Sequence, residues 1–345
     1  MAFKRLDPED ISISAESVVT PLWSTNSKLL TTFFTSSAQY ASSGEYFTRV
    51  YNTNINTTDT AVAQMGITFG DKTGRGSVNY NPNAVGKSPS ATIYGPYRNL
   101  VFGDEDTVFT FQGESSDFVY VISIDRSRYK EKLLPGSFNL KLKGPAGAII
   151  TLTDNSKVLT TVSYVDSGRV YDVISGSNGL PWDWNGTTAA TNGYNTTGGS
   201  YGKFLPDVGI IILSGEALDD AAGAGGIDLA TVKAVSPGVD SENTKKFYNA
   251  ISGGAYFEAQ AEETVSSNYI FVRVRNSEFN YSTNPSNITG SGELRHDIMI
   301  NTPQAYLTTV GLYNDNNDLL AVAKLSKPLL KDFTKEALVR IKLDY

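Results

Sequence analysis

Residues 267–345 are written in strand periodicity, and this limits the folds open to the chain. Ile270, Val272 and Val274 alternate with Phe271, Arg273 and Arg275. Apolar runs at 306–313 and 319–325 flank Asn314-Asp315-Asn316-Asn317-Asp318. Ala337, Val339, Ile341, Leu343 and Tyr345 alternate with polar neighbours up to the last residue. A period of two places successive side chains on opposite faces of an extended backbone. Asn and Asp tolerate left-handed backbone, so 314–318 reads as the loop of a hairpin. An apolar closing strand implies a C-terminus held in a packed body, because a loose tail would be polar and poor in β-branched residues.

The rest of the chain extends this pattern. The segments 44–51, 61–69, 108–111, 118–124 and 138–143 read as strands, as do 149–152, 158–164, 170–174 and 208–213. In 118–124, Phe118, Tyr120, Ile122 and Ile124 share one face and Val119, Val121 and Ser123 the other. A strand apolar on both faces belongs in the middle of a sheet. Residues 175–203 are dominated by Gly, Asn, Thr and Ser and read as a long loop. A small helical patch is expected near 216–252, as short pieces at 217–220, 229–235 and 245–251. The low-complexity stretch 221–226 between them reads as flexible. The expected fold is mainly β, with antiparallel sandwich or barrel-like domains and long loops. Its expected divisions are an N-terminal arm at 1–30, a β domain at 31–150, a β domain with the Gly/Asn-rich loop and short helices at 151–265, and a C-terminal β domain at 266–345.

Composition narrows the function. Nineteen Tyr and 16 Phe favour strands, and 31 Gly and 13 Pro supply turns. Charged residues make up 19% of the 345, below the roughly 25% usual for soluble proteins. A net charge of −7 argues against a nucleic-acid partner, although Arg126, Arg128, Lys130 and Lys132 form a local basic run. Without Cys the chain has neither disulfides nor thiolate metal sites. The N-terminal sequence has no apolar signal core, and no stretch is apolar for about 18 residues. The expectation is synthesis in a host cytoplasm without export and no membrane partner.

Motifs with catalytic potential fail on local chemistry. His296 is the single histidine and cannot build a multi-histidine metal site. Gly198-Gly199-Ser200-Tyr201-Gly202 has the spacing of a hydrolase nucleophile elbow, but it lies in a Gly/Asn/Thr segment and not between strand and helix. Gly86-Lys87-Ser88 lacks the upstream glycine of a phosphate loop, since that position is Asn81; Pro89 behind it restricts the following segment to a helix's first turn. Asp315 and its neighbours miss the Gly and Glu of a calcium loop at Leu320 and Ser326. No catalytic, metal or cofactor residues are assigned. Trp182 and Trp184, in the sequence Pro-Trp-Asp-Trp, are a candidate ligand loop: exposed indoles beside carboxylates stack on sugars, whereas buried ones pin a loop to its own sheet.

Several segments carry a family resemblance. They are FKRLDPEDISISAESVVTPLW at 3–23, KSPSATIYGPYRNLVFGDED at 87–106, SRYKEKLLPGSFNL at 127–140 and, near the C-terminus, FNYSTNPS, GSGELRH, YLTTVGLYNDNNDLLAVAKLSKPL and VRIKLDY. They cover about a third of the chain. The chain resembles virion structural proteins of contractile-tailed, cyanophage-like bacteriophages, and its C-terminal region is similar to baseplate wedge proteins. The resemblance implies a non-enzymatic building block of the virion tail, with other tail and baseplate proteins and further copies of itself as partners. It carries over no catalytic residues. Phe3, Leu6, Ile11, Ile13, Val18, Trp23, Phe279, Tyr281, Tyr306, Tyr313 and Tyr345 are the candidate assembly contacts, and docking of the N-terminal arm on its own domain is the competing use of the first six. A receptor- or carbohydrate-binding virion protein using Trp182 and Trp184 is the alternative, and a hydrolase using Ser200 a more distant one.

Overall fold

The computed structural model describes residues 3–35, 47–104, 106–181 and 193–344. In chain order the strands are β1 (Ile11–Pro21), β2 (Leu29–Leu30), β3 (Phe47–Tyr51), β4 (Ala63–Asp71), β5 (Phe109–Phe111), β6 (Glu114–Ser116) and β7 (Phe118–Ile124). There follow β8 (Lys132–Leu133), β9 (Asn139–Lys143), β10 (Ile149–Asp154), β11 (Ser163–Val165), β12 (Gly168–Ser177), β13 (Leu180–Pro181), β14 (Gly202–Leu205), β15 (Ile210–Ser214) and β16 (Phe257–Glu258). The last are β17 (Gln260–Val274), β18 (Gln304–Tyr313), β19 (Leu319–Asp332) and β20 (Ala337–Asp344). The helices are α1 (Pro89–Phe102), α2 (Gly215–Asp219), α3 (Asn243–Gly254) and α4 (Ile298–Asn301). Strand accounts for 42% and helix for 15%, so the protein is mainly β, as its periodicity implies. It divides into a main unit, Val18–Glu263, and an end unit built from Met1–Ser17 and Thr264–Tyr345.

The main unit is one large, curled, half-barrel antiparallel sheet in the order β2-β16-β9-β10-β12-β14-β15-β7-β4-β3, with β11 and β13 added to β12. β7 lies between β15 and β4, pairing Val121 with Ile212 and with Thr68. Its two faces enter two separate cores. Phe118, Tyr120, Ile122 and Ile124 join the larger core, where the Tyr120 ring lies 4.8 Å from that of Phe247 on α3. Val119 and Val121 join the smaller core with Tyr94, Val101, Phe109, Phe111 and Ile212. The central position read from the alternation of 118–124 is thus the observed one.

Some expectations are corrected. Pro89 stands in the first turn of a helix, and that helix runs for 14 residues where no helix was expected. Proline suits the first helical position, where its missing N–H has no intrahelical partner. Gly95 and Pro96 mask the helical pattern, and tertiary contacts override them. The buried Tyr94 hydroxyl donates to the Ser116 carbonyl at 2.9 Å and accepts from the Phe109 amide at 3.0 Å. Burial pushes that phenol up to about 12. Residues 229–235 are not helical: Asp228 and Ala230 have φ of 52° and 58°, a left-handed backbone that no right-handed helix accepts. Within 158–164 only Ser163 and Tyr164 are strand.

Within 175–203, 175–177 complete β12, β13 follows and Gly202 begins β14, whereas 193–201 form turns and bends with one isolated bridge, Asn195 to Gly199. The glycines there serve close approach. A Cβ on Gly199, which has φ +70°, would stand 1.9 Å from the Phe111 carbonyl oxygen, and one on Gly202 would stand 2.1 Å from that of Ile212. The segment 221–226 is likewise tied down, by a hydrogen bond of 2.6 Å from the buried Tyr201 hydroxyl to the Gly225 carbonyl.

Asp154 ends β10 with its carboxylate fully buried, accepting from the amides of Gly136 at 2.8 Å and Ser156 at 2.9 Å. Desolvation outweighs these bonds and raises its pKa above the ordinary carboxylate value. The folded state therefore binds this proton more tightly than the unfolded chain. The stabilisation is complete below the unfolded pKa and is lost as pH rises through the folded one. Denaturant titrations of wild type and Asp154→Asn across that window will show the wild type losing stability relative to the variant as pH rises. A difference independent of pH would contradict the assignment.

Candidate assembly surface of the terminal segments

The end unit holds two antiparallel sheets. β17 lies between β1 and β20, with Ile270 opposite Ile341 and Val272 opposite Val339. β18 and β19 form a separate two-stranded ribbon. The ribbon has two register shifts, one leaving 325–328 opposite Thr308 and one leaving Leu320 unpaired beside Leu312 and Tyr313. Pro328, which cannot donate a ladder hydrogen bond, falls in the first of these. The turn between the strands matches the hairpin loop read from 314–318. The Asn314 side-chain oxygen accepts from the amides of Asn316 and Asp318 at 3.0 and 2.8 Å, and Asn317 has φ +63°.

The base of the ribbon is fastened by a residue the sequence reading did not select. Lys331 is fully buried, and its ammonium donates to the Asn276 carbonyl at 3.0 Å, the Asn280 Oδ1 at 2.7 Å and the Asp332 carbonyl at 2.7 Å. All three of its donors are used, which makes the burial tolerable. The N-terminal segment is fastened similarly. The Phe3 ring meets that of Tyr313 edge-on at 5.2 Å, and Lys4 bonds the Arg273 carbonyl and pairs with Glu278 at 3.2 Å. The Arg275 amide, followed by Lys4, holds the Glu278 carboxyl below the usual carboxylate range. Residues 3 and 4 thus contact their own unit, the competing use noted for the arm.

Apolar side chains in this unit are mostly in solvent. Among its described residues the buried apolar side chains are Ile270, Val274, Ala305 and Ile341. Of the candidate contacts, Phe3, Ile11, Ile13, Tyr281, Tyr306 and Tyr313 are exposed, Tyr281 at 72% and Tyr306 at 66%. Val18, at the start of the main unit, is also exposed, whereas Leu6 and Phe279 are half-buried. Exposed Ile298, Ile300, Leu320, Val322, Phe333 and Leu338 extend the apolar surface and escaped the sequence reading. Leu320, Val322 and Leu338 sit in segments whose alternation was visible only as a strand, Ile298 and Ile300 in a short turn of helix and Phe333 in a turn, with no alternation to read.

Trp23 is a correction. It is 2% exposed in the larger core of the main unit, with its indole N–H shared between the carbonyls of Lys28 at 3.0 Å and Phe257 at 3.1 Å. An indole so enclosed offers nothing to a neighbouring subunit. Tyr345, Trp182 and Trp184 lie outside the described residues. Ser200 is buried in the main unit, its hydroxyl donating to the Gly202 carbonyl at 3.2 Å, and a strand follows it where a nucleophile elbow has a helix. Two of the four residues of the main unit's basic run are in ion pairs. Arg126 lies over the Tyr129 ring, Lys130 pairs with Glu263 at 2.9 Å, and Lys132 pairs with Glu131 at 3.4 Å. A cavity of about 260 Å³ lies beside it, lined by Thr20, 127–130 and 261–263. No protein-family model, curated protein or solved structure compared with this chain matches it.

Lys331→Met keeps the length of the side chain and removes its donors, taking this donor from the Asn280 Oδ1 and leaving the Asn276 carbonyl the bond from the Asn280 Nδ2 at 2.8 Å. A loss of about 1–3 kcal/mol in local stability is expected. Amide hydrogen exchange will rise across 276–281 and 329–332 while the main unit is unchanged. Unaltered exchange in 276–281 would remove Lys331 as the fastening.

Proposed function

We propose that this chain is a structural subunit of a contractile bacteriophage tail, located in the baseplate and acting by protein–protein assembly instead of catalysis. Its partners are other tail and baseplate proteins and further copies of itself, and its place is the virion. The observation that carries the reading is the imbalance of the end unit: four small or medium apolar side chains buried against a surface of exposed Tyr, Phe, Ile, Leu and Val. A two-stranded ribbon is marginal in water by itself. Burying apolar surface is the main force that offsets ordering a chain, and an exposed patch of this kind marks an interaction site. Permanent interfaces of roughly 2,000–5,000 Å² provide such burial, and binding stabilises the bound fold by mass action. The resemblance of 3–23 and the C-terminal segments to contractile-tail virion proteins supports the same reading and directs it to the baseplate.

The test is mass spectrometry and cryo-electron microscopy of purified tails from phage carrying either the intact gene or a deletion of 304–332 bridged by a short glycine linker. The intact chain will be found at stoichiometric copy number in the baseplate. The deleted chain will be made and folded in its main unit but left out of particles. Absence of the intact chain from purified tails would falsify the proposal.

A further inference from the structure

We infer that the ribbon of β18 and β19 pairs with the ribbon of a second copy of this chain, β19 against β19 antiparallel across a two-fold axis near Ala321. The inference rests on the assembly reading above and names its partner. β19 has β18 on one side and no other strand on its second side among the described residues. Its free edge therefore presents unpaired backbone donors and acceptors, and a four-stranded sheet made of two ribbons satisfies the requirement for more than two strands.

Charge complementarity selects the second copy as the occupant. The tip of the ribbon is acidic, with exposed Asp315 and Asp318, and its stem is basic, with exposed Lys324 and Lys327. No ion pair joins either lysine to a carboxylate among the described residues. Asp318 and Lys324 are equidistant in sequence from Ala321, while Asp315 in the turn and Lys327 further down the strand carry the same signs beyond them. A two-fold axis there brings the acidic tip of each copy to the basic stem of the other, about 20 Å along the strand from Asp318 to Lys324. An interface of this isologous kind must be self-complementary, and this arrangement of charge is. Leu320 and Val322, 67% and 58% exposed, are also symmetric about Ala321 and meet their counterparts at the centre. Edge lysines ordinarily discourage strand addition. Here they restrict it to a partner that carries carboxylates at matching positions, as opposed charges across an interface set partner choice and register.

Sedimentation velocity of the purified full chain tests this. The wild type will form a dimer that weakens as salt is raised. Lys324→Glu with Lys327→Glu, and separately Asp315→Lys with Asp318→Lys, will each weaken dimerisation by roughly tenfold or more. An equimolar mixture of the two variants will recover a heterodimer, because every tip then faces a stem of opposite sign. All four positions are exposed, and circular dichroism melts will confirm that the variants fold. Since the chain has no Cys, Ala321→Cys gives a second readout: it will cross-link to its own copy under mild oxidation, whereas Thr308→Cys on β18 will not. A wild-type monomer, a dimer insensitive to both reversals, or a mixture that stays monomeric overturns the inference. If the chain is monomeric in solution yet present in tails, the ribbon pairing fails and the baseplate reading stands. If it dimerises as described but is missing from tails, the reverse holds.

Discussion

The two-sided burial of β7 organises the main unit. A strand with solvent on one side can sustain one core; Phe118–Ile124 sustains two, because its even and odd residues are enclosed alike. Its hydrogen bonds go to β4 on one side and β15 on the other, so the strand exposes neither an edge nor a face. The larger core takes in α3 and the indole of Trp23, and the smaller takes in α1. Helices that the backbone alone would scarcely favour, one with Pro96 inside it, are held by the apolar surface they cover.

The end unit follows the opposite regime. Its strands are as long or longer, with β17 at 15 residues and β19 at 14, yet few of their side chains are enclosed. Its specific contacts are polar or local: the Lys331 ammonium on three oxygens, the Lys4 bridge to Glu278, and the Ser267 hydroxyl that, with Lys342, holds the Asp344 carboxyl below the usual range. Such contacts specify geometry. They contribute little net stability beside buried apolar area. A body organised this way has its register set by polar contacts while much of its apolar surface stays in solvent.

How much was legible follows from the kind of signal each segment carried. Period-two runs such as Phe118–Ile124 and the paired β17 and β20 were readable because alternation is a local property. The loop at 314–318 was readable because Asn and Asp bear their turn chemistry themselves. The failures were segments whose meaning depended on what lay opposite. Gly199 and Gly202 look like linker glycines until the Phe111 and Ile212 carbonyls are placed against them. Trp23 looks like an anchor for a partner until Phe257 closes over it at 4.9 Å. Of the candidate assembly contacts, Tyr306 and Tyr313 were identifiable as aromatic residues of a strand, but their exposure was not, since an alternating strand looks the same whether its apolar face is covered or bare.

The amino-acid sequence by itself determined the β class, the central strand, the hairpin and the lack of any cysteine chemistry, because these depend on residue type and short-range spacing. The tertiary structure alone decided that the two chain ends share one unit, that Lys331 is buried, and that the apolar rows of β18 and β19 remain in solvent. Burial is a property of distant parts of the chain meeting, and no local pattern records whether they do.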